Sequence, residues 1–325
     1  MSQAKSSEAY RPEPIEIPVV YSWPPKPLDA LKWLVIDLMM PWGYIWLALA
    51  FLGWYGFSPA MSEMQQLSPG WIAVLWLRNA AFLTLVAGGL HWWYYIHKGQ
   101  EKDTKFTHKW LAEDDDKFLW RDQVKDNMFW SLASGVTIWT AYEALTLWWY
   151  ANGNVVYSSI GEAPILFVIS IWAVMFWSTL HFYLNHRLLH WGPLFDISHE
   201  LHHRNANTGP WTGISMHPIE HVIYFSVFLI WWVVPVHPVI IALTGIFQGV
   251  APSVSHSGFD YLKICKRIKI STGDNFHNLH HRFFHINYGN VASPLDKLFN
   301  SWHGGDEAGK AVLKQRLRSR SVAGH

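Results

Sequence analysis

Three short stretches of this sequence concentrate histidine at regular spacings. "HRLLH" places His186 and His190 four residues apart, while "HELHH" at 199–203 and "HNLHH" at 277–281 repeat one three-histidine pattern. On a helix, residues three and four positions apart lie on the same side, so each stretch can present several imidazoles together. Clustered imidazoles are typical metal ligands, and the spacing therefore predicts a metal site.

The number of histidines predicts two metal ions. The three stretches offer eight imidazoles, whereas one tetrahedral ion takes four ligands, or three and a water. Adjacent His202 and His203 point about 100° apart on a helix. Such a triplet can therefore supply ligands to two ions. Imidazole suits iron, zinc and copper about equally, so the ligand type alone does not identify the metal.

Four further histidines lie near these stretches. His256, in "SHSGFDY", is a candidate additional ligand. His181 lies five residues before His186, on another side of a helix, and is expected to pack in the core or to orient a ligand. His217 and His221 flank "PIE", where Pro218 is expected to begin a helix and Glu220 suits its positive end. We expect both to cap the helix or to orient a ligand.

Two other metal sites fit part of this pattern. "HELHH" is also H-E-x-x-H, in which His199 and His203 would bind zinc and Glu200 would be the general base of a membrane protease. That alternative leaves "HNLHH", "HRLLH" and His202 without a role. A carboxylate di-iron bundle would need two Glu-x-x-His pairs, and we find one, Glu200 with His203.

Long apolar runs predict an all-α, polytopic membrane protein. Half of the residues are hydrophobic and 15% are charged. Four runs can each cross roughly 30 Å of hydrocarbon, namely 33–57, 71–96, 128–150 and 163–185. The stretch 222–250 is too long for one span and is broken by "PVHP" at 235–238, which predicts a helical hairpin. A polar, Pro-rich leader of about 30 residues precedes the first run, so no cleavable signal peptide is expected.

Charge placement predicts the orientation of these spans. The connection 97–126 holds seven Lys and Arg, whereas 58–70 and 151–162 hold none. The positive-inside rule therefore puts 97–126, and with it all three histidine stretches, on the cytoplasmic side of a bacterial inner membrane or endoplasmic reticulum. Arg78 departs from the rule and lies near the depth of Glu143. We expect the two to pair, since unpaired charges are costly there.

The remaining composition limits the other functions. The formal net charge of +1 gives no reason to expect nucleic-acid binding. The single cysteine, Cys265, allows no intrachain disulfide. The predicted organisation has four parts: a leader at 1–30, a transmembrane region with three spans at 31–160, a catalytic region at 161–302 and a basic tail at 303–325.

The ordered motifs resemble those of the sterol desaturase and fatty acid hydroxylase superfamily, over roughly residues 165–302. They are "HRLLH", "HELHH", "HPIE" (217–220), "HSG" (256–258) and "HNLHH", closed by "NYG" (287–289). The order of the last three is more similar to the sterol-oxidising branch than to the fatty acid 2-hydroxylases. Many members carry an acidic residue shortly before the first histidine stretch, and "STLH" (178–181) has none.

This resemblance implies a non-haem di-iron site that uses O2 to hydroxylate or desaturate a lipid, either sterol-like or fatty acyl. By position, the implied iron ligands are His186, His190, His199, His202, His203, His277, His280 and His281, with His256 as the additional candidate. The chain shows no flavin, nicotinamide or haem-domain fingerprint, so electrons must come from outside. The resemblance suggests a cytochrome b5-like or ferredoxin-type donor. A non-enzymatic membrane metal-binding or transport protein is the remaining alternative, but a transporter would place its ligands near the bilayer midplane.

Overall fold

The computed structural model describes residues 10–265, 268–273, 275–292 and 294–323. Most of them are helical, and the helices follow one another as α1 (Pro27–Asp37), α2 (Trp42–Phe57), α3 (Pro69–Ile96), α4 (123–151), α5 (Pro164–Leu189), α6 (192–203), α7 (Pro218–Trp232), α8 (Pro238–Ser255), α9 (Asn275–Phe283), α10 (Leu295–Leu298) and α11 (Glu307–Ala323). Short 3-10 turns lie at Val19–Tyr21, Met61–Gln65, Leu119–Arg121 and Pro210–Thr212. The predicted helical class is confirmed.

One small sheet adds to the predicted all-α class. Strands β1 (Tyr261–Cys265) and β2 (Ile268–Ser271) pair antiparallel, with Leu262 opposite Ile270. The indole Nε1 of Trp42 donates to the carbonyl of Ser271 at 2.8 Å. The hairpin is thus tied to the start of α2.

Proline starts the long helices, as the sequence suggests. Helices α3, α5, α7 and α8 each have a proline in their first turn, where the missing N–H leaves no helical bond unmade. In α7 and α8 the preceding histidine completes the cap, because the Nδ1 atoms of His217 and His237 accept from backbone N–H groups. The predicted capping role of His217 is confirmed.

Among the described residues, three helices are long and apolar enough to cross a membrane: α3, α5 and α8. Helices α1 and α2 pass the same test together, but they are bent by 55° at 38–41, so the predicted span 33–57 is a broken one. The predicted span 128–150 lies in α4, which is helical but less apolar, since it carries Glu143 and several Trp, Tyr and Thr residues. The predicted hairpin 222–250 is confirmed as α7 and α8. These helices make the chain a membrane protein.

Arg78 of α3 and Glu143 of α4 form the predicted ion pair. Arg78 Nη2 donates to Glu143 Oε1 at 2.5 Å, and both side chains are almost fully buried. Asn79 Nδ2 donates to the other carboxylate oxygen at 3.0 Å, while Arg78 Nη1 donates to Ser58 Oγ at 2.9 Å. A hydrogen-bond network therefore surrounds the pair and joins α3 to α4.

Both ends of the described chain lie against the histidine-bearing part of the fold. The backbone N–H of Ile15 donates to the carbonyl of Gly304 at 2.7 Å, and the Tyr21 hydroxyl donates to the carbonyl of Ala292 at 2.6 Å. Arg316 of α11 donates through Nε to the carbonyl of His285 at 2.6 Å. The described parts of the predicted leader and basic tail are therefore ordered elements, whereas residues 1–9 and 324–325 lie outside the described residues.

Candidate metal centre

The structure brings nine histidines together in two groups. The first cluster contains His186, His190, His199, His203 and His280, and the second cluster contains His202, His256, His277 and His281. Within each cluster, one ring nitrogen from every histidine lies within 4.8 Å of the others. These nine are the histidines that the sequence predicts as metal ligands.

Each histidine triplet contributes to both clusters. Helix α6 gives His199 and His203 to the first cluster and His202 to the second, while α9 gives His277 and His281 to the second and His280 to the first. Residues four apart stay together because they lie on one side of a helix, and the residue between them turns to the other cluster. Both helices thus hold both clusters in place.

Backbone carbonyls fix the tautomers of four of these imidazoles. Nδ1 of His186, His202, His256 and His280 lies 2.6–3.2 Å from the carbonyls of Tyr288, Ser215, Pro252 and Ile286, respectively. A carbonyl can only accept, so each Nδ1 carries the proton and each Nε2 keeps a free lone pair. This is the usual arrangement of a metal-binding histidine.

Three Nε2 atoms of the first cluster converge on one point. Those of His190 and His280 are 3.0 Å apart, and that of His203 is 3.1 Å from each of them. The Nε2 atoms of His186 and His199, in the same cluster, are buried and have no hydrogen-bond partner in the part of the chain that the structure describes. In the second cluster the Nε2 atoms of His256, His277 and His281 are likewise buried without a partner. Buried polar atoms normally have partners, so these nitrogens fit a bound cation.

Burial keeps the imidazoles in the form that binds metal. Loss of solvation lowers the pKa of His202 to about 4 and that of His280 to about 3. Both rings are therefore neutral near pH 7, and a neutral ring can give a lone pair to a cation without first losing a proton.

Glu220 is a part of the centre that its sequence position did not reveal. Its carboxylate is buried, and Oε1 accepts a hydrogen bond from His199 Nδ1 at 2.8 Å. The motif "HPIE" predicts a favourable acidic residue at the start of α7, but that spacing carries no information about His199. A carboxylate behind an imidazole fixes its orientation and increases its basicity.

Replacing Glu220 by Ala is expected to weaken metal binding by roughly 10–100-fold, the usual cost of losing such a partner. Glu220→Gln should lose less, because its amide oxygen can still accept from His199. The measurement is the metal dissociation constant, from competition with a chelator. Glu200→Gln is the matched control, since Glu200 is exposed. Equal affinities for Glu220→Ala and wild type would remove this role from Glu220.

The other candidate residues lie outside the clusters. His181 Nε2 lies 2.9 Å from Ser226 Oγ, and His221 lies between Ser134 Oγ and the carbonyl of Ile214. Both are buried. The core position expected for His181 is confirmed, whereas His221 neither caps α7 nor contacts a clustered histidine through these bonds, so the role expected for it is wrong. The exposure of Glu200 is unfavourable to the H-E-x-x-H protease, which needs this carboxylate beside the metal.

An apolar cavity of about 400 Å³ adjoins both clusters. His186 and His199 line it from the first cluster, and His202, His256 and His277 line it from the second. Its apolar wall includes Trp33, Leu38, Trp42, Trp46, Phe182 and Phe247. Four of these belong to the bent α1–α2 segment, which the sequence identified only as a membrane span.

Comparison with known proteins gives a family match over this part of the chain. Residues 171–301 match the fatty acid hydroxylase family model, and all nine clustered histidines fall within that range. No solved structure matches the chain significantly.

Three curated relatives illustrate the similarity. The Delta(7)-sterol 5(6)-desaturase of Saccharomyces cerevisiae is 26% identical over 142 residues, covering 43% of this chain and 38% of its own length. A Dictyostelium discoideum protein named for methylsterol monooxygenase activity is 33% identical over 135 residues, or 37% of this chain and 46% of its own. A rice (Oryza sativa subsp. indica) very-long-chain aldehyde decarbonylase is 26% identical over 213 residues, or 60% and 31%.

The chain therefore spans less than half the length of each of these relatives. The match covers the part of the fold that carries the histidine clusters, and two of the three relatives are named for sterol oxidation. Over this part, the chain is similar to the sterol desaturase and fatty acid hydroxylase superfamily, and more so to its sterol-oxidising branch.

Proposed function

We propose that this protein is a membrane-bound, di-iron, O2-dependent oxidoreductase that hydroxylates or desaturates a lipid. The observation that carries the proposal is the contact between two histidine clusters and one apolar cavity. The cavity can hold the hydrocarbon part of a lipid, and the clusters place two candidate metal positions at its wall. The names of the relatives favour a sterol-like or long-chain substrate.

The residues of the first cluster would hold one iron ion, and those of the second cluster would hold the other. Metal–nitrogen bonds of about 2.1 Å put ligand atoms about 3.0 Å apart at right angles and about 3.4 Å apart at tetrahedral angles. The three converging Nε2 atoms are 3.0–3.1 Å apart, so one ion could be bound by all three. When bound, iron would supply the redox chemistry of O2 activation, for which zinc is unsuited.

The chain's own residues would bind and orient the substrate and keep water out. Trp42, Trp46 and Phe182 surround the hydrocarbon, so a C–H bond can be held beside the clusters. The backbone carbonyls and Glu220 hold the imidazole protons at Nδ1, which keeps the Nε2 atoms free as ligands. An apolar wall also limits the access of bulk water to the reaction.

The proposal includes an orientation and an electron donor. Placement of the positive charges favours a cytoplasmic active site. Lipid oxidation by O2 needs two external electrons, and a cytochrome b5-like or ferredoxin-type protein is the donor that we propose. The predicted division into leader, transmembrane region, catalytic region and tail remains part of this proposal.

Purified, active protein is expected to contain about two iron ions per chain, because each cluster offers at least four imidazoles. Elemental analysis alongside the protein concentration measures this ratio. Removal of the metal with a chelator should abolish the O2-dependent activity, and added Fe²⁺ should restore it. One ion per fully active chain would contradict the two-metal centre, whereas zinc in an inactive preparation would not, since imidazole accepts both metals.

A further inference from the structure

Ser178 is a polar residue of the cavity wall whose hydroxyl is not explained by the metal centre or by a hydrogen bond to the described residues. It lies on α5, its side chain is 1% exposed, and its Oγ has no hydrogen-bond partner among the described residues. The other buried cavity atoms without partners are imidazole nitrogens of the two clusters and one oxygen of Glu220. Ser178 is thus a cavity-lining residue with a buried, unpartnered hydroxyl, and the first candidate metal ligand after it on α5 is His186.

Neighbouring hydroxyls on the same helix show that this arrangement is specific to Ser178. Ser170 Oγ donates to the carbonyl of Leu166 at 2.7 Å, and Thr179 Oγ1 donates to that of Phe176 at 2.9 Å. Hydroxyls in apolar helices ordinarily bond to the backbone in this way, because no water is present to satisfy them. Ser178 has the same option and does not use it.

We propose that Ser178 is a polar anchor for the substrate, binding a hydroxyl or carbonyl oxygen of the lipid inside the cavity. A serine hydroxyl can donate to either group and can also accept from a hydroxyl. In an apolar cavity, one such group fixes orientation while the hydrocarbon contacts provide the bulk of the binding. The proposal rests on the proposed function and specifies the class of lipid that this cavity takes.

The anchor also determines which part of the lipid faces the clusters. Ser178 and His186 lie eight residues apart on α5, so their Cα atoms are about 12 Å apart along the helix axis. A lipid held by its oxygen at Ser178 therefore presents a carbon to the clusters that is remote from that oxygen. The cavity fits an elongated lipid with one polar end that is oxidised at a distance from it.

The test compares lipid binding by Ser178→Ala with binding by wild type and by Ser170→Ala. Ser170→Ala is the matched control, because it also removes a buried hydroxyl from α5, but one that is bonded to the backbone. The full chain in detergent is mixed with matched pairs of probes: cholesterol and 5-cholestene, and 1-octadecanol and octadecane. Binding is measured as the rise of the unfolding temperature with probe concentration.

Wild type and Ser170→Ala are expected to bind at least one alcohol about tenfold more tightly than its parent hydrocarbon, as one hydrogen bond allows. Ser178→Ala should lose this preference while binding the hydrocarbon as before. An unchanged preference in Ser178→Ala, or no alcohol preference in wild type, would overturn the anchor. The assay needs neither iron nor turnover. The binding result can therefore contradict the anchor while O2-dependent activity is present. It can equally support the anchor while O2-dependent activity is absent.

Discussion

A strain in which His280→Ala replaces the wild-type protein is expected to lack the oxidised lipid that the wild type produces. His280 Nε2 lies 3.0–3.1 Å from the Nε2 atoms of His190 and His203. Its removal therefore leaves two of the three converging candidate ligand atoms. Its neighbour His281 belongs to the second cluster and cannot replace it. Loss of a residue that only orients a ligand costs roughly 10–100-fold, and loss of the ligand itself should cost more than about 100-fold.

Two measurements check this expectation. A comparison of lipid extracts from a deletion strain carrying either the wild type or His280→Ala identifies the product, because the oxidised lipid is present in one extract and missing from the other. Iron analysis of the purified variant should show a clear decrease below the wild-type ratio, while its expression and helicity are retained.

Glu200→Gln is the matched control, because it changes an exposed residue of the neighbouring histidine stretch. It should keep most of the metal and some of the activity. The protease alternative predicts the opposite pattern. Proteolysis that is independent of oxygen, ends with Glu200→Gln and survives His280→Ala would replace the oxygenase with a hydrolase.

Loss of the ion pair between Arg78 and Glu143 is expected to destabilise the fold strongly. Replacing either residue by Met leaves a buried charge without its partner, and such changes cost about 3–5 kcal/mol. We therefore expect each single variant to fold in low yield and to unfold readily. Exchanging the two charges, Arg78→Glu with Glu143→Arg, should recover part of the loss, since Asn79 and Ser58 can hydrogen-bond to either group.

The free energy of unfolding in detergent, together with folding yield, measures this coupling. Arg121→Met is the control, because Arg121 also pairs with aspartates but is half-exposed. Its loss should cost no more than about 1 kcal/mol. If the charge exchange recovers none of the yield lost in the single variants, the pair does not stabilise the fold.

Features that depend on local spacing and on the membrane as solvent could be predicted from the amino-acid sequence. Apolar length predicted the helices, and the interruption at 235–238 predicted the break between α7 and α8. Helical periodicity predicted that a triplet such as His199, His202 and His203 can serve two ions, because adjacent residues diverge around a helix. The cost of a buried charge predicted the pairing of Arg78 with Glu143.

Which histidines meet depends on the packing of separate helices and could not be predicted from local spacing. His280 of α9 meets His203 of α6 and His190 at the end of α5, and no spacing within a single helix contains that information. The acceptors of the Nδ1 protons are mostly backbone carbonyls, which every residue type has, so their positions leave no mark in the sequence.

The cavity depended on tertiary packing in the same way. Hydrophobicity predicted that 33–57 lies in the membrane, and Pro41 lies at the 55° bend between α1 and α2. The sequence does not show that this bend brings Trp33 and Trp42 to the wall of a cavity beside the histidine clusters. Glu220 and Ser178 show the same limit. Neither residue stands out in the sequence of its helix. Long-range packing puts Glu220 beside His199 Nδ1, and it leaves Ser178 Oγ without a partner among the described residues.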